Sequence, residues 1–210
     1  MYKSRAEIKS LGKQAFLSQY WLCVIVMLLY ALIIGAGNYT GIVMILLAGP
    51  LEVGLCAFSM RLQQGAEVSI GTMFSSAFDH NFGRKLGAYW WRQLFTFLWS
   101  MLFIIPGIVK SLAYSMQPYI LAECPDVTAK DSLKLSMRMM EGQKMRLFVL
   151  GLSFIGWALL SGLTAGILAL LYVGPYMQQT MAQFYQEVKV EAVARGAISV
   201  QELYPASGNF

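Results

Sequence analysis

The stretch GIVMILLAGPLEVGLCAFSM, residues 41–60, decides how this chain folds. It is an apolar run holding one charge, Glu52, and one helix breaker, Pro50. About 20 apolar residues is the length of a helix that crosses a bilayer. A proline inside such a helix removes a backbone donor and kinks it. A charge at mid-span costs roughly 3 kcal/mol on insertion scales and therefore faces protein rather than lipid. Both residues thus call for partners elsewhere in the chain.

Further apolar runs lie at Tyr20–Gly37, Leu86–Ile105, Leu147–Leu163 and Ile167–Met177. The 210-residue chain is 57% hydrophobic and 13% charged. A soluble domain carries about 25% charged residues, so this chain has too few to coat a water-facing surface. An integral membrane protein is the reading that follows. The net charge is +5, and the basic residues flank the apolar runs, as the positive-inside rule and anionic headgroups favour. A basic stripe with interleaved aromatics on a polar fold is missing, which speaks against nucleic acid. Cys23, Cys56 and Cys124 are too widely spaced for a disulfide framework or a metal pattern. Lys3, Arg5, Lys9 and Lys13 precede the first run as in a signal peptide. That run exceeds a signal h-region and Gly35–Gly37 is a poor cleavage site, so a retained first transmembrane helix is expected.

An internal repeat organises the runs. A corner made by a glycine followed closely by basic residues opens an apolar run at Gly12–Lys13, Gly83–Arg84–Lys85 and Gly142–Lys144–Arg146. Each glycine is followed by a proline within an apolar stretch: Pro50 after 38 residues (50−12), Pro118 after 35 (118−83) and Pro175 after 33 (175−142). An amphipathic segment precedes each glycine, at Ser4–Ala15, about Ser69–Phe82, and Thr128–Glu141. Ser4 with Glu7, and Thr128 with Asp131, stand at capping spacing. The expected fold is an all-α polytopic membrane protein of about six transmembrane helices. They form three hairpin units (about 4–60, 69–123 and 128–188), each preceded by a cytoplasmic amphipathic helix and each returning through a proline kink. Residues 1–198 make a single transmembrane domain and 199–210 a loose tail.

The expected outer turns are 35–41, Pro106–Gly107 and Thr164–Gly166, and none carries a charge. The opposite side holds 14 of the 16 Lys and Arg residues, all but Arg92 and Lys110. Both termini are therefore expected in the cytoplasm. Such short turns leave no room for an outer receptor or catalytic lid, which places function in the membrane or on its cytoplasmic face.

Within that frame Glu52 is the leading binding residue. Arg92 lies about six residues into the third run, roughly 6 Å away in depth at ~1.5 Å per residue, and is one expected partner. Lys110 is another. The readings left open are a structural ion pair, a substrate or proton site, and a misplaced span. Gln117 and Gln178 stand beside Pro118 and Pro175 and could complete a polar cavity lined by kinked helices. The alternative is three kinks that only shape a bundle. Lys130, Lys134 and Arg138 form a basic stripe suited to anionic headgroups or to a partner protein. Catalysis has little support: the single histidine, His80, sits beside Asp79 on a polar segment. Glu123 and Asp126 flank ECPD, where helix termination by Pro125 explains them more simply than a cation.

IPGIVKSLAYSMQPYILAECP (105–125) and SLKLSMRMMEGQKMRLFVLGLSFIGWALLSGLTAGI (132–167) resemble a family of bacterial integral membrane proteins, common in Firmicutes and catalogued as domain of unknown function 975. The family is also similar to the membrane portion of some glycerophosphodiester phosphodiesterases, whose catalytic barrel this chain has no room for. The resemblance implies a multi-pass plasma-membrane protein and supplies no activity, cofactor or catalytic residue. The expected function is non-enzymatic: interaction with membrane lipids, with a partner membrane protein or with a second copy, and no cofactor. The alternative is a small permease or carrier for an amphiphile, with Glu52 in an intramembrane cavity.

Overall fold

A computed structural model describes residues 3–204, without the side chains of 38–40, 42–43, 102 and 104. Among the described residues every regular element is helical. Local chemistry starts the chain as the spacing predicts. The Ser4 hydroxyl accepts the Glu7 N–H at 3.2 Å and the Glu7 carboxylate accepts the Ser4 N–H at 2.5 Å, which opens α1 (Arg5–Ser18) with a complete capping box. Two long helices follow, α2 (Tyr20–Thr40) and α3 (Ile42–Gln63), separated only by Gly41 at φ +64°, a left-handed turn that suits glycine. Next come α4 (Ile70–Ala77), α5 (Phe82–Leu102), α6 (Ile104–Tyr114), α7 (Gln117–Glu123) and α8 (Ala129–Met139). The chain ends with α9 (Lys144–Leu152), α10 (Ile155–Leu163), a π-helical turn at Ala169–Val173, α11 (Gly174–Ala194) and the single turn α12 (Val200–Leu203).

Among the described residues three stretches are long and apolar enough to cross a membrane: Tyr20–Gly37, Met44–Gln63 and Lys144–Leu163. They occupy different places. The Met44–Gln63 window is 72% buried and the other two 22%, so α3 is the inner helix, packed by α2, α4, α5, α7 and α11. The outer surface is apolar: Leu32, Phe97, Met101, Ile105, Leu159 and Leu163 are each more than 60% exposed. Exposed apolar area of that extent marks a membrane or protein contact.

Glycines set two of the closest helix contacts. A Cβ on Gly12 would lie 2.7 Å from Thr180 Cα, and one on Gly49 would lie 2.5 Å from Tyr89 Cβ. Small residues allow helices this near one another. Gly12 is therefore interior to α1 and fitted against α11, which corrects its expected role as a corner; the chain turns instead at Ser18–Tyr20. Gly83 stands in the first turn of α5, and only Gly142, at φ +76°, is a true corner. The three glycines are thus not equivalent.

The prolines differ as well. Pro50 is inside the continuous α3, Pro118 stands at the start of α7 after a break, and Pro175 follows directly on the π-helical turn that leads into α11. Near Pro50 the Trp90 Nε1 donates to the Ile45 carbonyl at 2.8 Å. The expected outer turn at Pro106–Gly107 belongs to the first turns of α6; the reversal is at Phe103, which is extended. Proline is tolerated in a first turn because its missing N–H has no partner there anyway.

The break before α7 is closed by α8. Ser136, fully buried, accepts the Met116 N–H at 3.2 Å and donates to the Ala113 carbonyl at 2.8 Å. Ser132, one turn back, accepts from Gln117 Nε2 at 3.3 Å. Thr128 caps α8 as its spacing predicts, accepting the Asp131 N–H at 3.2 Å.

Basic residues secure the polar end. Arg84 donates to three carbonyls around the end of α7: Leu121 at 3.1 Å, Cys124 at 2.9 Å and Val127 at 2.5 Å. Lys85, 2% exposed, pairs with Asp79 at 2.7 Å. Arg146 joins Glu191 at 2.7 Å. Glu123 accepts from Lys189 at 2.5 Å, Tyr185 at 2.6 Å and Tyr204 at 2.9 Å, so its role is to tie helices together. The expected loose tail is packed down as far as the structure describes it. Ser199 and Glu202 form a capping box, Leu203 is buried, and Arg138 grips Glu202 through two bonds of 2.6 and 3.2 Å. Those bonds, with the Ser199 N–H, hold the Glu202 carboxyl down at about 2. Residues 205–210 lie outside the described residues.

Ser136→Ala removes both bonds across the break and leaves a buried N–H and C=O unpaired. A loss of about 1–3 kcal/mol is expected, read as a melting temperature several degrees lower in detergent. An unchanged melting temperature would show that the break is held by other contacts.

Candidate functional site

Glu52 and Arg92 occupy the middles of their helices: each is ten residues past the first residue, Ile42 of α3 (52−42) and Phe82 of α5 (92−82). The close approach at Gly49 and Tyr89 brings α3 and α5 together, and each charged residue stands one turn from that crossing. The Arg92 guanidinium donates directly to the Glu52 carboxylate. It also lies 5.5 Å from the Tyr89 ring centroid, within cation–π range. The pair is not sealed in: the Glu52 side chain is 28% exposed and that of Arg92 13%, and both border open space.

That space is a cavity of about 460 Å³ where α2, α3, α5, α6, α7 and α11 converge. Glu52, Arg92, Gln93, Thr96 and Gln178 supply much of its polar wall, together with Ser111 and Ser115. Met27, Leu55 and Met181 supply apolar wall. Gln178 Nε2 donates to Tyr119 Oη at 3.4 Å. The Ser111 and Ser115 hydroxyls donate back to their own helix, to the Ile108 carbonyl at 2.8 Å and the Leu112 carbonyl at 2.7 Å. The arrangement offers a carboxylate, a guanidinium, amides and hydroxyls in one chamber, enough to bind a small polar group from several directions.

Of the residues singled out in the sequence, the structure brings Glu52, Arg92 and Gln178 into this chamber. Gln117 is buried behind it, bonded to Ser132 at 3.3 Å and to the Ala129 carbonyl at 3.4 Å. Lys110 is elsewhere, 5.0 Å over the Trp99 ring and 6.0 Å from that of Tyr114, so it is not the partner of Glu52. The basic stripe on α8 is already engaged within the chain. Lys130 lies 5.5 Å from the Trp91 ring, Lys134 pairs with Asp131 at 3.3 Å, and Arg138 with Glu202. His80 is exposed and contacts Asn81. Sequence reading missed Gln93, Thr96, Ser111 and Ser115. Their signal was present: Ser111 and Ser115 share one helix face at i, i+4, and Gln93 and Thr96 at i, i+3.

Residues 102–192 match the family model described as protein of unknown function (DUF975). The resemblance seen in the sequence holds over that stretch. It takes in α6 to α10 and almost all of α11, hence Ser111, Ser115, Tyr119 and Gln178 of the chamber. Glu52 and Arg92 stand before the DUF975 match. No curated protein and no solved structure matches the chain.

Glu52→Gln leaves the guanidinium facing the chamber without its counter-charge. Removing one partner of a fully buried pair costs about 3–5 kcal/mol, and the partial exposure here puts the expected loss below that range. The reversed pair, Glu52→Arg with Arg92→Glu, should recover part of the stability lost in either single variant. Losses that simply add in the double variant, measured by unfolding in detergent, would show that the two side chains do not interact.

Proposed function

We propose that this chain is a multi-pass bacterial plasma-membrane protein that binds a small amphiphilic molecule in the chamber holding Glu52 and Arg92, without transforming it. Six crossings are assigned: α2, α3, α5, α6 with α7, α9 with α10, and the π-helical turn with α11. They make three hairpins with both termini in the cytoplasm. The chargeless reversals at Gly41, Phe103 and Ala165–Gly166 support this orientation, as do the many Lys and Arg residues at the opposite end.

One observation carries the binding reading. An ion pair stands on the wall of an open chamber at the middle of two apolar helices, among hydrogen-bonding groups that need not all face inward for the fold. Intramembrane ionisable residues facing a cavity mark ligand or ion sites. Docking on anionic headgroups or a partner protein through Lys130, Lys134 and Arg138 has less support, because the carboxylates of Asp131 and Glu202 stand against Lys134 and Arg138 and repel an anion there. Carriage of the bound molecule across the membrane would use the same chamber.

Native mass spectrometry from mild detergent tests the reading. The wild-type chain should retain a bound small molecule, and Ser111→Trp, at an exposed position on the chamber wall, should lose it while remaining folded. A wild-type chain that is always bare would count against binding. Orientation is checked by labelling. Cys23, Cys56 and Cys124 are all buried, so a cysteine replacing Ala165 should be the reactive thiol and should react from outside the cell. Labelling only after the cell is opened would invert the topology.

A further inference from the structure

A second space of about 430 Å³ adjoins the polar chamber. Ser111, Ser115 and Met181 are the wall common to both. Beyond that wall the lining turns to carbon: Leu147, Phe148, Leu152, Ile155 and Met177. Phe148, Leu152, Ile155 and Met177 are 39–50% exposed, so this space is a groove opening on the outside of the helix bundle, between α6 and α9–α10. Gly151 stands in its floor, and a Cβ there would meet no atom within 4 Å. From Leu147 to Ile155 the groove follows eight residues, about 12 Å of helix at ~1.5 Å per residue.

In the membrane orientation given above, an outward apolar groove at this place borders hydrocarbon. The chamber next to it contributes both signs of charge and no net charge. A head of one sign would be drawn to one member of the Glu52–Arg92 pair and repelled by the other, in a site where Coulomb forces are weakly screened. A head bearing both signs meets each member with its opposite.

We propose that the two spaces form one site for a single-chain zwitterionic amphiphile. The head lies against Glu52 and Arg92, and the chain lies in the groove between α6 and α9–α10. The ligand reaches the chamber sideways from the bilayer, past Ser111 and Ser115, and its cationic group faces Glu52 while its anionic group faces Arg92. This rests on the binding role of the chamber and adds the ligand class and the route.

Native mass-spectrometric titration of the full chain in a nonionic maltoside detergent tests the proposal, with dodecylphosphocholine, dodecyltrimethylammonium, dodecyl sulfate and chain-free phosphocholine as probes. One dodecylphosphocholine per chain should bind about tenfold more tightly than either singly charged probe, a gap of one decade in Kd. Gly151→Phe fills the groove and should reduce dodecylphosphocholine to the affinity of phosphocholine, which it leaves unchanged. Should that variant fail to fold, Leu152→Ala removes part of the groove wall and should weaken the dodecyl probe alone. Ser111→Trp should abolish both. Full dodecylphosphocholine affinity in folded Gly151→Phe or Leu152→Ala would overturn the groove while the chamber reading stood. Equal affinity for the singly charged probes would overturn the zwitterionic head. Binding of every probe unchanged by Ser111→Trp, or no binding to the wild type, would remove the chamber reading as well.

Discussion

A carboxylate and a guanidinium placed at the middles of two apolar helices have to find each other. Either charge alone, Glu52 or Arg92, would be costly on a helix that stands in hydrocarbon. Their contact fixes α3 against α5 and requires the near approach that Gly49 gives at Tyr89. Because α3 is the inner helix, what is fixed to it fixes much of the rest: α2, α4, α7 and α11 pack on the same element. The chamber is the space left over once a proline-bearing central helix and a charge pair have set the distances around them.

A second constraint is the backbone. Where water is absent, each N–H and C=O needs a partner from the protein. The chain departs from regular helix between Tyr114 and Gln117 and again at Ala169–Val173, and each departure is met locally. At the first, Ser136 of α8 supplies the missing partners. At the second, the turn widens to π-helix, and the Gly174 N–H donates to the Ala169 carbonyl. The polar end uses charged side chains for the same purpose, with Arg84 saturating carbonyls at the end of α7. These cations act as internal braces, although by sequence alone they read as a surface for headgroups.

Much of the fold was legible because its signals are local. The caps at Ser4 and Thr128 are set by residues three apart, and the run lengths around Tyr20–Gly37 and Met44–Gln63 reflect a simple match to bilayer thickness. The partnership of Glu52 and Arg92 was legible too, since charges stranded in apolar runs have few ways to be satisfied. What stayed hidden depends on neighbours distant in sequence. Gly12 looked like a corner, but its role is decided by Thr180. Pro106–Gly107 looked like a reversal, yet the first turn of a helix accepts a proline, so the chain turns at Phe103. The tail looked polar and free, whereas Leu203 and the Glu202 carboxylate give it a place to dock. The spacing of Ser111 and Ser115 put them on one helix face, but nothing local said that a cavity lies beside it, because each hydroxyl bonds to its own backbone.

The closure of the α6–α7 break by α8 also has a consequence for biosynthesis. Ala113 and Met116 leave the ribosome some twenty residues before Ser136 (136−116 = 20). Until Ser136 arrives, a carbonyl and an amide of the broken stretch lack the partners they have in the finished protein. The stretch from Ile104 to Glu123 therefore cannot settle as it is synthesised, in the manner of an uninterrupted helix. In the six-crossing assignment proposed above, it waits at the membrane surface, or keeps water with it, until the next segment of the chain folds back to complete it.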